Sequence, residues 1–188
     1  MGVYKLVLHP VAGHLDPALA PELTGCVDAL GLIGRPFFLD GRRHFLTGPR
    51  FLELISLVGC SPHLELDPPG DAEALEPAAR NGRFCHLGLR PEDPPLLRTG
   101  PRARPRCPCC NAAQPVAELV ATPAGMRCPG CGETTSAGAW RWREMGGFSN
   151  FFIDIWSIYP AEGIPQPALL AALEELSGLP WTHCYVED

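Results

Sequence analysis

The chain has 188 residues, 46% of them hydrophobic, which is enough for one ordinary domain and a small additional module. It carries a net charge of −6 with 22 Pro, 20 Gly and nine Cys, and its basic residues are fourteen Arg and the single Lys5. No run of eighteen apolar residues exists to span a membrane, and Met1–Lys5 lacks the basic-then-apolar layout of a secretory signal, so a cytoplasmic location is expected. In a reducing compartment nine cysteines point to thiols and metal ligands and away from disulfides.

Val3–Leu8 is apolar and β-branched and predicts a buried first strand. Asp16-Pro17 reads as the cap and first turn of a helix, with Leu19, Leu23, Val27 and Leu30 at helical spacing and Gly31 to stop it. Asp40-Gly41 between Pro36–Leu39 and Arg43–Leu46 is a hairpin signal. Pro49 opens a second helix whose buried stripe would be Phe51, Leu54, Ile55 and Val58. A short strand at Pro62–Leu66, a surface loop at Asp67–Asn81 with at most one helical turn, and a strand at Arg83–Leu89 follow.

Arg90–Arg106, with five prolines, reads as a linker into a separate module, and Glu144–Ser149 as the way back out. Phe151–Tyr159 is the most strand-like run in the chain. Pro165–Pro167 begins a last helix carrying Leu169, Leu170, Leu173 and Leu176, and Trp181–Val186 is a last strand. The expected fold is α+β, a mixed-sheet α/β sandwich in which residues 1–97 and 145–188 form one domain and 98–144 an inserted module.

That module holds Cys107-Pro108-Cys109-Cys110, then seventeen residues, then Cys128-Pro129-Gly130-Cys131-Gly132. Two Cys-x-x-Cys pairs at this separation suit a tetrahedral metal ion, because two tight turns can aim four sulfurs at one point. Val116–Thr122 and Met126–Cys128 read as two strands around a Pro123-Ala124-Gly125 turn, with Ala139–Arg143 as a third. Over Arg106–Glu144 the residues resemble the zinc-ribbon family, whose rubredoxin-like knuckles read Cys-Pro-x-Cys-Gly. The second knuckle matches fully, while the first has Asn111 in place of glycine. The resemblance implies structural zinc on Cys107, Cys110, Cys128 and Cys131. Zinc is favoured over iron, and a site closed by four thiolates leaves no position for catalytic water. Cys109 stands between two ligands as an inert neighbour, an alternate ligand or a reactive thiol.

Three functions remain open. The leading one is a protein-binding adaptor, assembly factor or complex subunit, suggested by the closed site, the charge asymmetry and the aromatic run Trp140–Tyr159. From Arg98 to Arg143, seven Arg face only Glu118 and Glu133, leaving −11 on the rest of the chain. The second is nucleic-acid binding through Arg98, Arg102 and Arg104 with Trp140 and Trp142 as stacking platforms. Against it, Arg106 and Arg127 directly precede the knuckles and can offset the charge of the metal–thiolate centre. The third is a thiol- or metal-dependent enzyme built on Cys60, His63, Cys85 and His86, although adjacent residues of a strand face opposite sides.

Overall fold

The computed structural model describes residues 3–11, 14–58, 64–122 and 124–187. β1 (Tyr4–Pro10) is followed by a 3-10 turn at Pro17–Leu19 that runs into α1 (Ala20–Ala29). The Asp16 carboxylate accepts from the Ala18 N–H at 2.9 Å, as a cap at this position should. β2 (Ile33–Leu39) and β3 (Arg42–Thr47) form the expected hairpin. Asp40 and Gly41 both take positive φ, 51° and 72°, the backbone a two-residue primed turn needs.

The second helix is far shorter than its apolar spacing predicts. α2 is only Phe51–Leu54, and the chain then turns extended as β4 (Ile55–Leu57), which pairs with the distant segment Gly163–Pro165. Ile55 is β-branched and buried, and the pairing with Pro165 outweighs the helical register. Pro62 and His63 lie outside the described residues, and Leu64 and Leu66 pack on the core without forming a strand.

The expected loop at 67–81 contains α3 (Ala72–Arg80), capped by Asp71, whose carboxylate accepts from the Glu73 N–H at 3.0 Å. Leu75, Ala78 and Ala79 pack toward Phe37, Leu39 and Phe84, and Pro77 inside the helix, with Pro68-Pro69-Gly70 before it, is what reads as loop. The expected linker is corrected in its first part: β5 extends from His86 to Thr99, with a register shift against its neighbour between Pro91 and Leu96.

Within the cysteine module a 3-10 turn at Val116–Glu118 leads into β6 (Val120–Thr122), β7 (Gly125–Arg127) and β8 (Thr134–Thr135), paired antiparallel in that order. No third strand forms at 139–143. A 3-10 turn at Ala137–Ala139 stands there, and Arg141 makes only a bridge to Arg106. The chain continues through β9 (Gly146–Trp156), β10 (Gly163–Pro165), α4 (Pro167–Ser177) and β11 (Trp181–Glu187).

The fold is α+β. Its main sheet has the order β11-β1-β9-β5-β3-β2. Every neighbouring pair is antiparallel, where a mixed sheet is expected from the sequence. The strand–helix–strand unit β9–α4–β11 does join two parallel strands, but β1 lies between them and is antiparallel to both. Two faces result. Leu6, Leu8, Phe45, Leu87, Phe151, Ile153, Ile155 and Tyr185 pack with Leu23 and Val27 of α1 and Leu169 and Leu173 of α4. Lys5, Val7, His44, His86, Phe152 and Asp154 alternate to the opposite face.

The β5/β9 pair does not stay flat. Arg98 is in register with Gly147, yet its guanidinium reaches the carboxylate of Asp154. Seven residues of straight strand span about 23 Å, well beyond a side chain's reach. The pair therefore folds back over the second face of the sheet. The bend sits where the register shifts between Pro91 and Leu96, opposite Phe151 and Ser149. Close approach accompanies it: a Cβ on Gly147 would lie 2.2 Å from Nε2 of His9, so only glycine fits there. No helix among the described residues is long and apolar enough to cross a membrane.

Candidate metal centre

Two turns of the same construction bring the four cysteines together. In the first, the Cys107 N–H donates to the Ala112 carbonyl at 3.0 Å and the Asn111 N–H to the Cys107 carbonyl at 3.0 Å. In the second, the Cys128 N–H donates to the Glu133 carbonyl and the Gly132 N–H to the Cys128 carbonyl, both at 2.9 Å. Each turn ends on a left-handed residue, Asn111 at φ 59° and Gly132 at φ 77°. Asparagine tolerates that region better than most side chains, so the missing glycine of the first knuckle costs little.

The sulfur geometry is that of a small tetrahedron. Cys107 Sγ lies 3.8 Å from Cys131 Sγ, and Cys110 Sγ lies 3.8 Å from Cys128 Sγ. All four sulfurs fall within 4.8 Å of one another. A tetrahedron with arms of about 2.3 Å has edges of about 3.8 Å, so the spacing suits an ion at its centre and is too wide for disulfides. The four cysteines are thus compatible with a zinc-binding knuckle module. Cys107 and Cys128 are buried, while Cys110 and Cys131 stand at the surface.

The local fields act on Cys107 and Cys131 in opposite directions. Burial pushes the Cys107 thiol up, but backbone N–H groups of Cys110 and Cys109 outweigh this and bring it down to about 7. The Cys131 thiol gains a backbone hydrogen bond at Glu133, yet burial and the three neighbouring sulfurs push it up to about 12. Without an ion the cluster holds its protons unevenly, since one thiolate discourages the next. Arginines close the turns from behind. Arg106 donates to the Asn111 carbonyl at 2.9 Å, Arg127 to the Gly132 carbonyl at 3.3 Å, and Arg141 to the Asn111 side chain at 3.2 Å. The third of these depends on a bridge between distant segments and has no local sequence signal.

The other expected residues disperse. Cys109 is exposed and is not one of the four converging cysteines, and its backbone N–H donates to Cys107 Sγ at 3.4 Å. Trp140 and Trp142 are buried in the module's core with Met126, and so are not available as stacking platforms. The aromatic run 140–159 is likewise mostly interior: Phe151 and Phe152 are buried and only Tyr159 is exposed. Arg98 is held by Asp154 and Glu92, whereas Arg102 and Arg104 are exposed. Cys60 and His63 lie outside the described residues. Cys85 faces the helix-side core and His86 the opposite face, so these two do not meet in one site. Among the described residues no other group of metal-ligating side chains converges.

Comparison with models of known families, with curated proteins and with solved structures finds no match.

Proposed function

We propose that the chain holds one structural Zn²⁺ on Cys107, Cys110, Cys128 and Cys131 and works in the cytoplasm as a protein-binding adaptor, assembly factor or complex subunit. The observation that carries the zinc is the pair of 3.8 Å sulfur separations across two turns of matching hydrogen-bond pattern. Four ligands from the protein leave no open position, so the ion's part is to hold the module together. Zn²⁺ with four thiolates carries a net charge of −2, and Arg106, Arg127 and Arg141 stand where they offset it.

The partner reading rests on surface chemistry. Arg102, Arg104 and Arg143 are exposed on or beside the module, a basic surface on an otherwise acidic chain that suits an acidic protein partner. Val58, just after β4, and Ile164 of β10 are exposed too. The nucleic-acid reading keeps Arg102 and Arg104 but loses its stacking platforms, because Trp140 and Trp142 are interior. Elemental analysis of purified protein is expected to find one zinc per chain. Co-purification from native cells is expected to recover a protein whose retention falls with salt and with loss of Arg102 and Arg104. Zinc-free protein would overturn the metal assignment, and salt-sensitive binding of a random oligonucleotide would promote the nucleic-acid reading.

A further inference from the structure

A crevice of about 430 Å³ lies where the cysteine module meets the main sheet. The sheet contributes His9, Gly147, Phe148 and Thr182 to its lining, and the module contributes Trp140 and Trp142. Boundaries between folded units are favoured places for small-molecule sites, and the volume falls in their usual range of about 300–1,000 Å³. None of the four converging cysteines lines it.

Two nitrogens of this lining are unsatisfied. His9 is 5% and Trp140 3% exposed, and neither Nε2 of His9 nor Nε1 of Trp140 has a hydrogen-bond partner among the described residues. Buried polar groups are nearly always paired, since an unpaired one has lost water and gained nothing in return. Chemistry fixes the role of each. Nδ1 of His9 lies 2.8 Å from the Pro10 carbonyl oxygen, which can only accept, so Nδ1 carries the proton. Burial outweighs that bond and lowers the ring below its ordinary value, so the imidazole is uncharged and Nε2 is a bare acceptor. A Cβ on Gly147 would stand equally close, at 2.5 Å, to Cδ2 and Cε1 of the same ring. A group in the ring plane beyond Nε2 would stand farther from both carbons, so the glycine covers the ring's face and not its lone pair. Trp140 Nε1–H is a donor only. The other indole of the lining, Trp142, already donates to the Ala137 carbonyl at 2.8 Å and offers only its rings.

An occupant that satisfies the crevice therefore brings one donor and one acceptor. It needs no charge, because Arg143 and Glu144, the charged residues of the lining, are exposed and opposite in sign. A carboxamide carries N–H and C=O side by side. It can serve two nitrogens held by separate segments, where a hydroxyl has one oxygen for both. Trp142 and Phe148 suit a flat apolar body beside the amide.

We propose that this crevice binds a small uncharged molecule bearing a carboxamide on a flat ring, its N–H donating to Nε2 of His9 and its C=O accepting from Nε1 of Trp140. The site needs the module folded against the sheet but not a particular ion, so zinc content and ligand binding can fail separately.

Titration of the full, isotope-labelled chain with benzamide, followed through the indole N–H resonances, tests this. Acetophenone, which keeps the ring and carbonyl but has no N–H, and benzoate, which is charged, are the comparisons. Benzamide is expected to bind saturably and to move the Trp140 indole N–H downfield. The indoles of Trp142 and Trp181, already bonded to Ala137 and Ser177, should stay in place. Acetophenone should bind about tenfold more weakly, the worth of one hydrogen bond, and benzoate not at all. His9→Phe keeps a ring but loses the acceptor, so it should bring benzamide down to the affinity of acetophenone. If that variant does not fold, the Trp140 resonance of the unmodified chain still decides. No saturable binding of benzamide, equal affinity for acetophenone or benzoate, or a shift confined to other indoles overturns the proposal.

Discussion

The cysteine module and the helix-covered face of the main sheet are held together in different ways. Among the described residues the sheet face joins twenty-one buried residues into one cluster. The module's cluster has five, and two of them, Cys107 and Cys128, are cysteines of the tetrahedron. Its strands are two or three residues long. Such a module buries too little apolar surface to offset the entropy of ordering its backbone, whereas the sheet face does so by ordinary burial. An ion held by the four sulfurs, as proposed above, would add a cross-link where apolar burial is smallest. On that proposal, one region of the chain takes its order from metal binding and the other from buried area.

Zinc removal should separate the two most sharply. Structural zinc sites carry apparent binding energies of about 10–16 kcal/mol, nearly all of which becomes folding energy of the module. With chelator, hydrogen exchange is expected to lose protection over roughly 106–144 and to keep it in β1, β9 and β11. Global loss would mean that the module is part of the main core. Ser replacements at Cys107, Cys110, Cys128 or Cys131 should each abolish zinc content, while Cys109→Ser should keep it. The reverse pattern at Cys109 would sink the ligand assignment. The complementary change is Ile153→Ala, at a fully buried position of the sheet face. It should cost about 2–5 kcal/mol in denaturant unfolding and leave the zinc content at one per chain.

The same contrast governs what could be read from the sequence. The module's site was legible because the ligand spacing is local: each Cys-x-x-Cys is one turn, and the turn chemistry, Asn111 and Gly132, lies beside it. The long strands at both ends of the chain were legible from continuous apolar runs. The helix Ala72–Arg80 was not, since Pro77 within it and Pro68-Pro69-Gly70 before it are loop signals. Nor was the strand at 90–99, where prolines argue for a linker. Pro91, Pro94 and Pro95 fall at or within the register shift, where ladder hydrogen bonds are interrupted anyway. Asp154 offered the best missed signal. A charge in the middle of an apolar strand asks for a buried partner, but its partner Arg98 is distant in sequence and meets it only through the bend.

A smaller effect separates the two faces of the sheet by pH. Burial first, with help from nearby cations, lowers His44 to about 3 and His86 to about 4, below the ordinary 6.5. Between those values and 6.5 the unfolded chain binds protons that the folded chain refuses. Stability should therefore be complete above about pH 6.5 and fall as pH drops toward 4, by up to about 1.4 kcal/mol per pH unit for each histidine. Urea unfolding at pH 7, 6 and 5 measures the slope. His86→Phe, which keeps a ring against Trp156, should flatten it, and an unchanged slope would show that other groups set the acid limit.

The smallest expected effect on stability comes from the exposed arginines of the basic surface, and for that reason it isolates function. Arg102 and Arg104 are exposed, and neither belongs to the cluster around Asp154. Arg102→Gln with Arg104→Gln should change stability by no more than about 0.5 kcal/mol and leave zinc content alone. Arg98 must be left out of this test, because it is bound to Asp154 and Glu92, and its removal would strip the buried carboxylate of its partner. If the surface steers an acidic protein, the double variant should associate more slowly and with a shallower salt dependence, while the dissociation rate stays nearly constant. If it grips phosphate backbones, the variant should instead lose affinity for any single-stranded oligonucleotide, with the salt slope dropping by about 0.7 for each contact removed. Association kinetics at several salt concentrations distinguish these outcomes, because steering changes the on-rate alone. Unchanged association with the native partner would remove the basic surface from the interface.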